Sequence, residues 1–284
     1  VIMMAEDIRL DKISEKEKIQ KSLDRLIRQN YIARTGDTYN FLTDAEQDVE
    51  REIKDEFVDP SEVIRRISEM IFGSIYTSKK FRYNKKYDFD FNKKVDGVYY
   101  GNPVEGMELE IYTTATSLVD KQELRLMAES TNKVLIVLGD TEYYNFIENA
   151  MKIDKFARKK NIPQLSKAMQ DIIRGKQDDA EHYKEDAIDE LKEAFNQAGF
   201  YIDGDRAKIN SGGAQAKIDE ALEYLVSNVY NKLDLINKNT ETDEDIYNVL
   251  SGKEDNGVMP GFETNRKAAS EIEIYLSAQS KQHL

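Results

Sequence analysis

Four acids stand in two short stretches where spacing alone could make a site. Asp88 and Asp90 alternate with Tyr87, Phe89 and Phe91, and Glu108 and Glu110 alternate with Met107, Leu109 and Ile111. Alternation of this kind is a β-strand with one buried face, and it sends all four carboxylates to the other face. Carboxylates gathered on neighbouring strands are what a metal-dependent nuclease uses to hold a divalent ion. That chemistry also needs a lysine two residues beyond the second acid, where this chain has Tyr112 after Glu110 and Ile111. The pattern favours a solvated face, with the nuclease as the competing enzyme reading. A second acidic pair, Asp140 and Glu142, follows Val134, Leu135, Ile136, Val137, Leu138 and Gly139. A buried strand ending in acids is how nucleotide hydrolases place Mg²⁺ ligands. No G-x-x-x-x-G-K-[ST] stretch is present to cradle phosphates, so Asp140 reads as a helix cap. Asp203, Gly204 and Asp205 lack the spacing of a calcium loop and read as a hairpin turn. The two histidines, His182 and His283, lie in polar sequence, and cysteine is absent. Thiolate chemistry and disulfides are excluded, and a histidine triad or histidine metal site is disfavoured. No catalytic residue, metal ligand or cofactor is assigned to these residues.

Basic clusters offer a different chemistry. Residues 79–94 hold seven basic residues against two acids, and residues 152–176 hold eight against two, in a chain of net charge −13. Local cationic patches in an acidic chain suit phosphate contact, or ion pairing with the acidic run 178–193. The aromatics of the first cluster face the core, which removes them as base-stacking residues. The best candidates for a local DNA or partner contact are Lys155, Arg158, Lys159 and Lys160, where cations also suit the end of a helix. A second candidate set, Lys21, Arg25, Arg28 and Arg34, belongs to an N-terminal helix and hairpin.

The elements that would position these residues follow from periodicity. The run 134–138 is a strand buried on both faces, followed by a helix with Tyr144, Ile147, Met151 and Phe156 on one side. Ahead of it, Ser14 and Glu17 have capping-box spacing and open a helix with Ile19, Leu23, Leu26 and Ile27. Asn30 ends that helix. Residues 31–34 and 38–42 flank Gly36 and Asp37 as a tight hairpin. A helix leading straight into a small hairpin is the end of a winged helix-turn-helix unit, with its earlier helices missing or compressed into residues 3–10. Thr43 with Glu46 opens an acidic helix, and Asp59, Pro60 and Glu62 open another that Gly73 stops. Residues 80–92 read as one long strand with Phe81, Tyr83, Tyr87, Phe89 and Phe91 on its buried face and Lys85 as a break. Residues 122–130 read as helix or strand. After Pro163 come a long helix to Gly199, a hairpin across residues 203–205, a helix over 214–236, a short helix capped by Thr242, and a last helix through Ala268, Ile272 and Leu276.

The whole is an α+β, multi-domain chain: a winged-helix-like unit with an acidic linker helix at 1–58, an α/β domain at 59–162 and a mainly helical domain with a hairpin at 163–284. Length is 284 residues with 33% charged, mean hydropathy is −0.67, and no apolar run reaches the roughly 18 residues of a membrane span. A soluble, cytoplasmic protein is expected, and a first residue other than Met suggests a segment of a longer one.

Three stretches carry a family resemblance. Tyr31-Ile32-Ala33-Arg34-Thr35-Gly36-Asp37-Thr38-Tyr39-Asn40-Phe41-Leu42-Thr43 with Glu46-Gln47-Asp48-Val49-Glu50-Arg51-Glu52-Ile53 is the first. Residues 134–140 with Met151-Lys152-Ile153-Asp154-Lys155-Phe156-Ala157-Arg158 are the second, and Leu225-Val226-Ser227-Asn228-Val229-Tyr230-Asn231-Lys232-Leu233 is the third. In this order they resemble the region C-terminal to the ATPase core in the BREX phage-defence P-loop ATPase family, BrxC/PglY type. The resemblance implies an N-terminal ATPase elsewhere and a multi-protein, DNA-directed defence system. It implies a non-catalytic interaction or scaffold segment, with other defence proteins and the parent ATPase core as partners and local DNA contact as an addition. Lacking the P-loop, the chain inherits no catalytic residue from it.

Overall fold

The computed structural model describes residues 12–35, 38–117, 120–236, 247 and 265–282. The chain opens with α1 (Lys12–Arg28) and an isolated hairpin of β1 (Ile32–Thr35) and β2 (Thr38–Phe41). Helix is already present at Lys12, so Ser14 sits inside α1 rather than at its cap. Asn30 takes a left-handed φ of 61° just past the helix end, a conformation Asn tolerates better than most residues. The turn at Gly36 and Asp37, the segment 3–10 and the short helix expected after Thr242 lie outside the described residues.

Next come α2 (Asp44–Lys54) and α3 (Pro60–Met70). The capping box opening α2 is complete: Thr43 N donates to Glu46 Oε2 at 2.7 Å and Glu46 N to Thr43 Oγ1 at 3.4 Å. Asp59 caps α3 by accepting from Ser61 N at 2.8 Å, with Pro60 in the first turn where its missing N–H costs nothing. Gly73 does not stop this helix; the chain runs on through a π-helical turn, Ile71–Ile75, which carries Ile71 and Phe72 into the core.

The central sheet contains β3 (Lys80–Tyr83), β4 (Tyr87–Val95), β5 (Val98–Tyr99), β6 (Met107–Tyr112), β7 (Val134–Val137), β8 (Gly199–Ile202) and β9 (Asp205–Ala207). Its order is β3-β4-β6-β7-β8-β9, with β5 a short addition to β4. β4, β6 and β7 run parallel, and the other pairs are antiparallel. The expected single strand over 80–92 is a hairpin instead. Asn84 and Lys85 take φ of 50° and 58°, turning the chain so that Phe81 faces Phe89 and Tyr83 faces Tyr87. Odd residues pair with odd residues in this register, so the aromatic face survives the fold-back and the alternation alone could not reveal it.

One face of the sheet carries Phe91, Val95, Leu109, Ile111, Val134, Ile136, Phe200 and Ile202. Four helices contribute to its cover: α3, α5 (Tyr143–Lys159), α6 (Lys167–Asn196) and α7 (Ala214–Val229). The other face has a smaller cover, in which Leu126 of α4 (Glu123–Glu129) meets Leu135 and Tyr201. Residues 122–130 are thus a helix flanked by turns. Gly106 lies where the loop into β6 crosses β4: a Cβ there would come within 2.4 Å of the Asp90 carbonyl oxygen. Asp140 does not cap α5. The helix begins at Tyr143, and the Glu142 N–H before it donates to Glu190 of α6 at 3.4 Å.

α5 and α6 form an antiparallel helical hairpin joined by a 3₁₀ turn, Ile162–Gln164. The C-terminal half of α5 and the N-terminal half of α6 leave the sheet and pack with α2. Val49, Ile53, Ile153, Phe156, Ala157 and Ile173 form that second core. The β8–β9 hairpin, placed by the sequence with the helices after 163, pairs onto β7 and extends the central sheet. α7 stops at Val229, short of Ile236, and gives way to a 3₁₀ turn, Leu233–Leu235. The last described element is α8 (Arg266–Gln282). Helix and sheet together make this a mixed chain in keeping with the α+β class.

Candidate functional site

The four strand carboxylates lie on the sheet face that α4 only partly covers, and cations hold all of them. Lys80 meets Asp90 at 3.3 Å and Arg82 meets Asp88 at 3.8 Å, each across the β3–β4 hairpin. Lys94 meets Glu108 at 3.1 Å. Lys133, at the mouth of β7, lies 3.5 Å from Glu108 and 2.6 Å from Glu110. Glu110 is only 5% exposed, so the expectation of a solvated face fails there. Parallel pairing puts Leu135 beside Glu110, and the apolar group around Leu126, Leu135 and Tyr201 closes over the strand. A carboxylate buried this way needs a charged partner, and Lys133 supplies it. Burial alone would lower the Lys94 pKa, but hydrogen bonds to Glu108 and Tyr99 and the two glutamate charges outweigh it and raise it. Among the described residues no group of three His, Cys, Asp or Glu is placed to hold a metal ion. The carboxylates join an ion-pair net instead of converging on an open site.

This net continues through Tyr112. Its hydroxyl donates to Glu129 at 2.8 Å, and Arg125 bridges Glu129 at 2.9 Å and Asp120 at 2.7 Å. Burial and the hydrogen bond to Glu129 push the Tyr112 pKa far up. Lys133 was missed by the sequence reading because its role depends on parallel register, which leaves no trace in residue spacing. Lys93 belongs to the basic stretch 79–94, but its odd position puts it on the apolar face. Its ammonium sits over the rings of Phe72 at 5.1 Å, Phe91 at 5.5 Å and Tyr76 at 6.0 Å. Burial, with Lys79 nearby, lowers its pKa, while the rings favour the charge.

Beyond the ends of the parallel strands, Asp96 accepts from Thr113 N at 2.8 Å, from Thr113 Oγ1 at 2.5 Å and from Thr116 Oγ1. It acts as a clasp for the loop after β6. Asp140 is exposed beside this loop. Lys121 feels both aspartates, but burial prevails and lowers its pKa.

The basic end of α5 is engaged. Lys155 Nζ donates to the Phe57 carbonyl at 2.7 Å, Lys159 meets Glu56 at 2.6 Å, and Lys160 meets Glu52. Lys176 of α6 joins Glu50 of α2 and lies 3.1 Å from Asp179. Burial opposes the Lys176 charge, yet Glu50 and Asp179 prevail and raise its pKa. Acids of α2 and the segment after it are therefore the main partners of this cluster, where the sequence pointed to residues 178–193. Of the four residues named for DNA contact here, Lys155 and Arg158 have no ion pair among the described residues; Lys155 is held by a backbone carbonyl, and Arg158 lines a groove of about 370 Å³ with Arg65 and Arg66. On α1, Lys21, Arg25 and Arg28 are exposed. The side chain of Arg34 lies outside the described residues.

Among the described residues no helix is long and apolar enough to cross a membrane. No solved structure matches the chain. Residues 56–225 match a family model described as the BREX ATP-binding protein BrxC 4th domain with six-stranded beta sheet. The matched span contains the whole six-strand path from β3 to β9, the α5–α6 hairpin and the helical covers of the sheet except the last turn of α7. A match over more than half of the sequence, with the sheet it describes in place, shows that the chain belongs to the family of BREX BrxC fourth domains.

Proposed function

We propose that this chain is a non-catalytic scaffold segment of a BREX-type defence ATPase, docking its sheet-centred body onto other parts of that ATPase and onto its partner proteins. The observation that carries this reading is an apolar strip at the sheet margin. Val98, Tyr99, Tyr100 and Val104 are 53, 42, 38 and 49% exposed although they lie within eight residues of one another. The strip is held from both sides of the sheet: Tyr100 packs on Phe72 of the apolar face at 5.3 Å, and Lys94 of the carboxylate face lies over Tyr99 at 4.5 Å. A fixed, aromatic-rich strip rimmed by charge has the composition of a protein interface. Its occupant is the ATPase core of the parent, because the family describes a fourth domain of an ATP-binding protein. The saturated carboxylates support a structural use of the sheet, and α1 with its hairpin, read as a winged-helix unit, adds a second packing element.

Two measurements test this. The chain mixed with ATP and Mg²⁺ should release phosphate only at background rate; turnover abolished by Asp140→Ala overturns the non-catalytic reading. Co-purification of the chain with the separately expressed ATPase core should succeed, and Tyr99→Glu with Tyr100→Glu should abolish it. Undiminished capture by that double variant means the strip is not the docking surface.

A further inference from the structure

We infer that α1 presents a phosphate-binding face and that it, rather than the basic end of α5, is where this chain meets a nucleic-acid backbone. Lys21, Arg25 and Arg28 stand four and three residues apart, so they share one side of the helix. Ile19, Leu23 and Leu26 recur at the same spacing on the opposite side, and Leu23, Leu26 and Ile27 are partly buried. The packing that seats α1 therefore turns its cations outward. None of the three has an ion-pair partner among the described residues. The acids that would neutralise them are partly occupied: Glu15 is held by Lys18 at 2.8 Å and Asp24 accepts from Gln20 at 2.8 Å. Glu17 is the one remaining acid on this part of the helix.

Charge complementarity names the occupant. In a chain of net charge −13, a row of three cations with no ion pair among the described residues, on a convex, exposed helix face, suits a regular polyanion. The row spans about 10 Å along the helix, enough to follow successive phosphates of one strand. Contacts to phosphates carry no sequence information, so binding through this row is indifferent to sequence. This contact is separate from docking to the ATPase core: a chain that captures the core but ignores DNA loses the present inference alone.

The test titrates a fluorescent 20-base-pair duplex with the 284-residue chain over a salt series, following anisotropy. Three phosphate contacts give a slope of log K against log salt of about −2.7, at about −0.9 per contact. Arg25→Gln should reduce the steepness by about 0.9 and weaken binding at low salt. Lys21→Glu, Arg25→Glu and Arg28→Glu together should remove binding, with the circular-dichroism spectrum unchanged because all three side chains are exposed. Arg158→Glu, in the groove beside α3, should leave affinity and slope as they were. Binding that survives the triple change, binding lost in Arg158→Glu, or no binding by the unaltered chain at low salt each overturns the inference.

Discussion

Lys155, Lys159 and Lys160 at the end of α5 each meet an oxygen of α2 or of the segment just after it, whereas Lys21, Arg25 and Arg28 on α1 meet none among the described residues. Both sets are basic residues near the end of an amphipathic helix, and in the sequence they look alike. The difference lies in what the fold brings beside them. α5 is laid against an acidic helix, so its cations become a seam. α1 packs on strand β1, which carries no acid, and meets α2 through Lys54, a cation, so its own cations stay outside. A basic cluster thus identifies a surface only when the charge of the neighbouring element is known.

The seam's ion pairs are partly exposed, and such pairs contribute at most about 1 kcal/mol each. Its strength must come from the apolar residues beneath. Phe156→Ala should therefore cost about 3–5 kcal/mol in urea unfolding, because its ring is almost fully buried between α2, α5 and α6. Leu26→Ala on α1 should cost clearly less; equal costs would erase the contrast between the two regions. Lys176→Ala ranks next. Breaking a buried pair costs about 3–5 kcal/mol where the partner is left dry. Here Glu50 and Asp179 line a cavity of about 230 Å³ that lets water reach them, which brings the expected loss down to about 2–3 kcal/mol. A loss below about 0.5 kcal/mol would mean that Lys176 is not what anchors α2 to α6.

Much of this arrangement is legible in the sequence. The Thr43 and Asp59 caps, the buried strand read at residues 134–138, of which 134–137 form β7, and the hairpin at Asp203 follow from local chemistry, and local chemistry decides them. Asp140 was misjudged because the helix start is set by α6, whose Glu190 takes the Glu142 N–H. Gly73 was misjudged because tertiary packing of Ile71 and Phe72 outweighs the preference of glycine for a helix end. The candidate site was less legible than the fold. Whether a lysine is free or paired depends on contacts about a hundred residues apart, as between Lys159 and Glu56, and periodicity carries no such information.

Charge reversal sets the two regions against each other directly. Lys159→Glu with Lys160→Glu places new acids against Glu56 and Glu52 and should cost about 1–2 kcal/mol. Arg25→Glu with Arg28→Glu on α1 should stay within about 0.5 kcal/mol per site, as changes at exposed positions do. The opposite ranking in thermal or urea unfolding would show that α1, not α5, carries the structural seam.

The smallest effect concerns the other end of α2. The backbone N–H of Thr43, and then its hydroxyl, hold the Glu46 carboxyl below the usual glutamate range. A carboxylate with a depressed folded pKa stabilises the fold above its unfolded value, near 4.3, and that contribution fades as pH falls through the folded value. Glu46→Gln keeps an acceptor but cannot ionise. The unaltered chain should therefore be more stable than this variant at pH 7 by less than about 1 kcal/mol, with the gap narrowing as pH falls through the folded value. Other carboxylates titrate in the same window, and taking the difference between the two proteins removes their share. A gap that stays constant from pH 7 to pH 3 would show that the charge on Glu46 is not what the cap uses. The cap and the α5 seam lie about 15 Å apart along α2. Combined with Lys159→Glu and Lys160→Glu, the Glu46→Gln cost should add to within about 0.5 kcal/mol. Strong non-additivity would mean that α2 is seated as one rigid piece between the N-terminal hairpin and α5, so that loosening either end releases both.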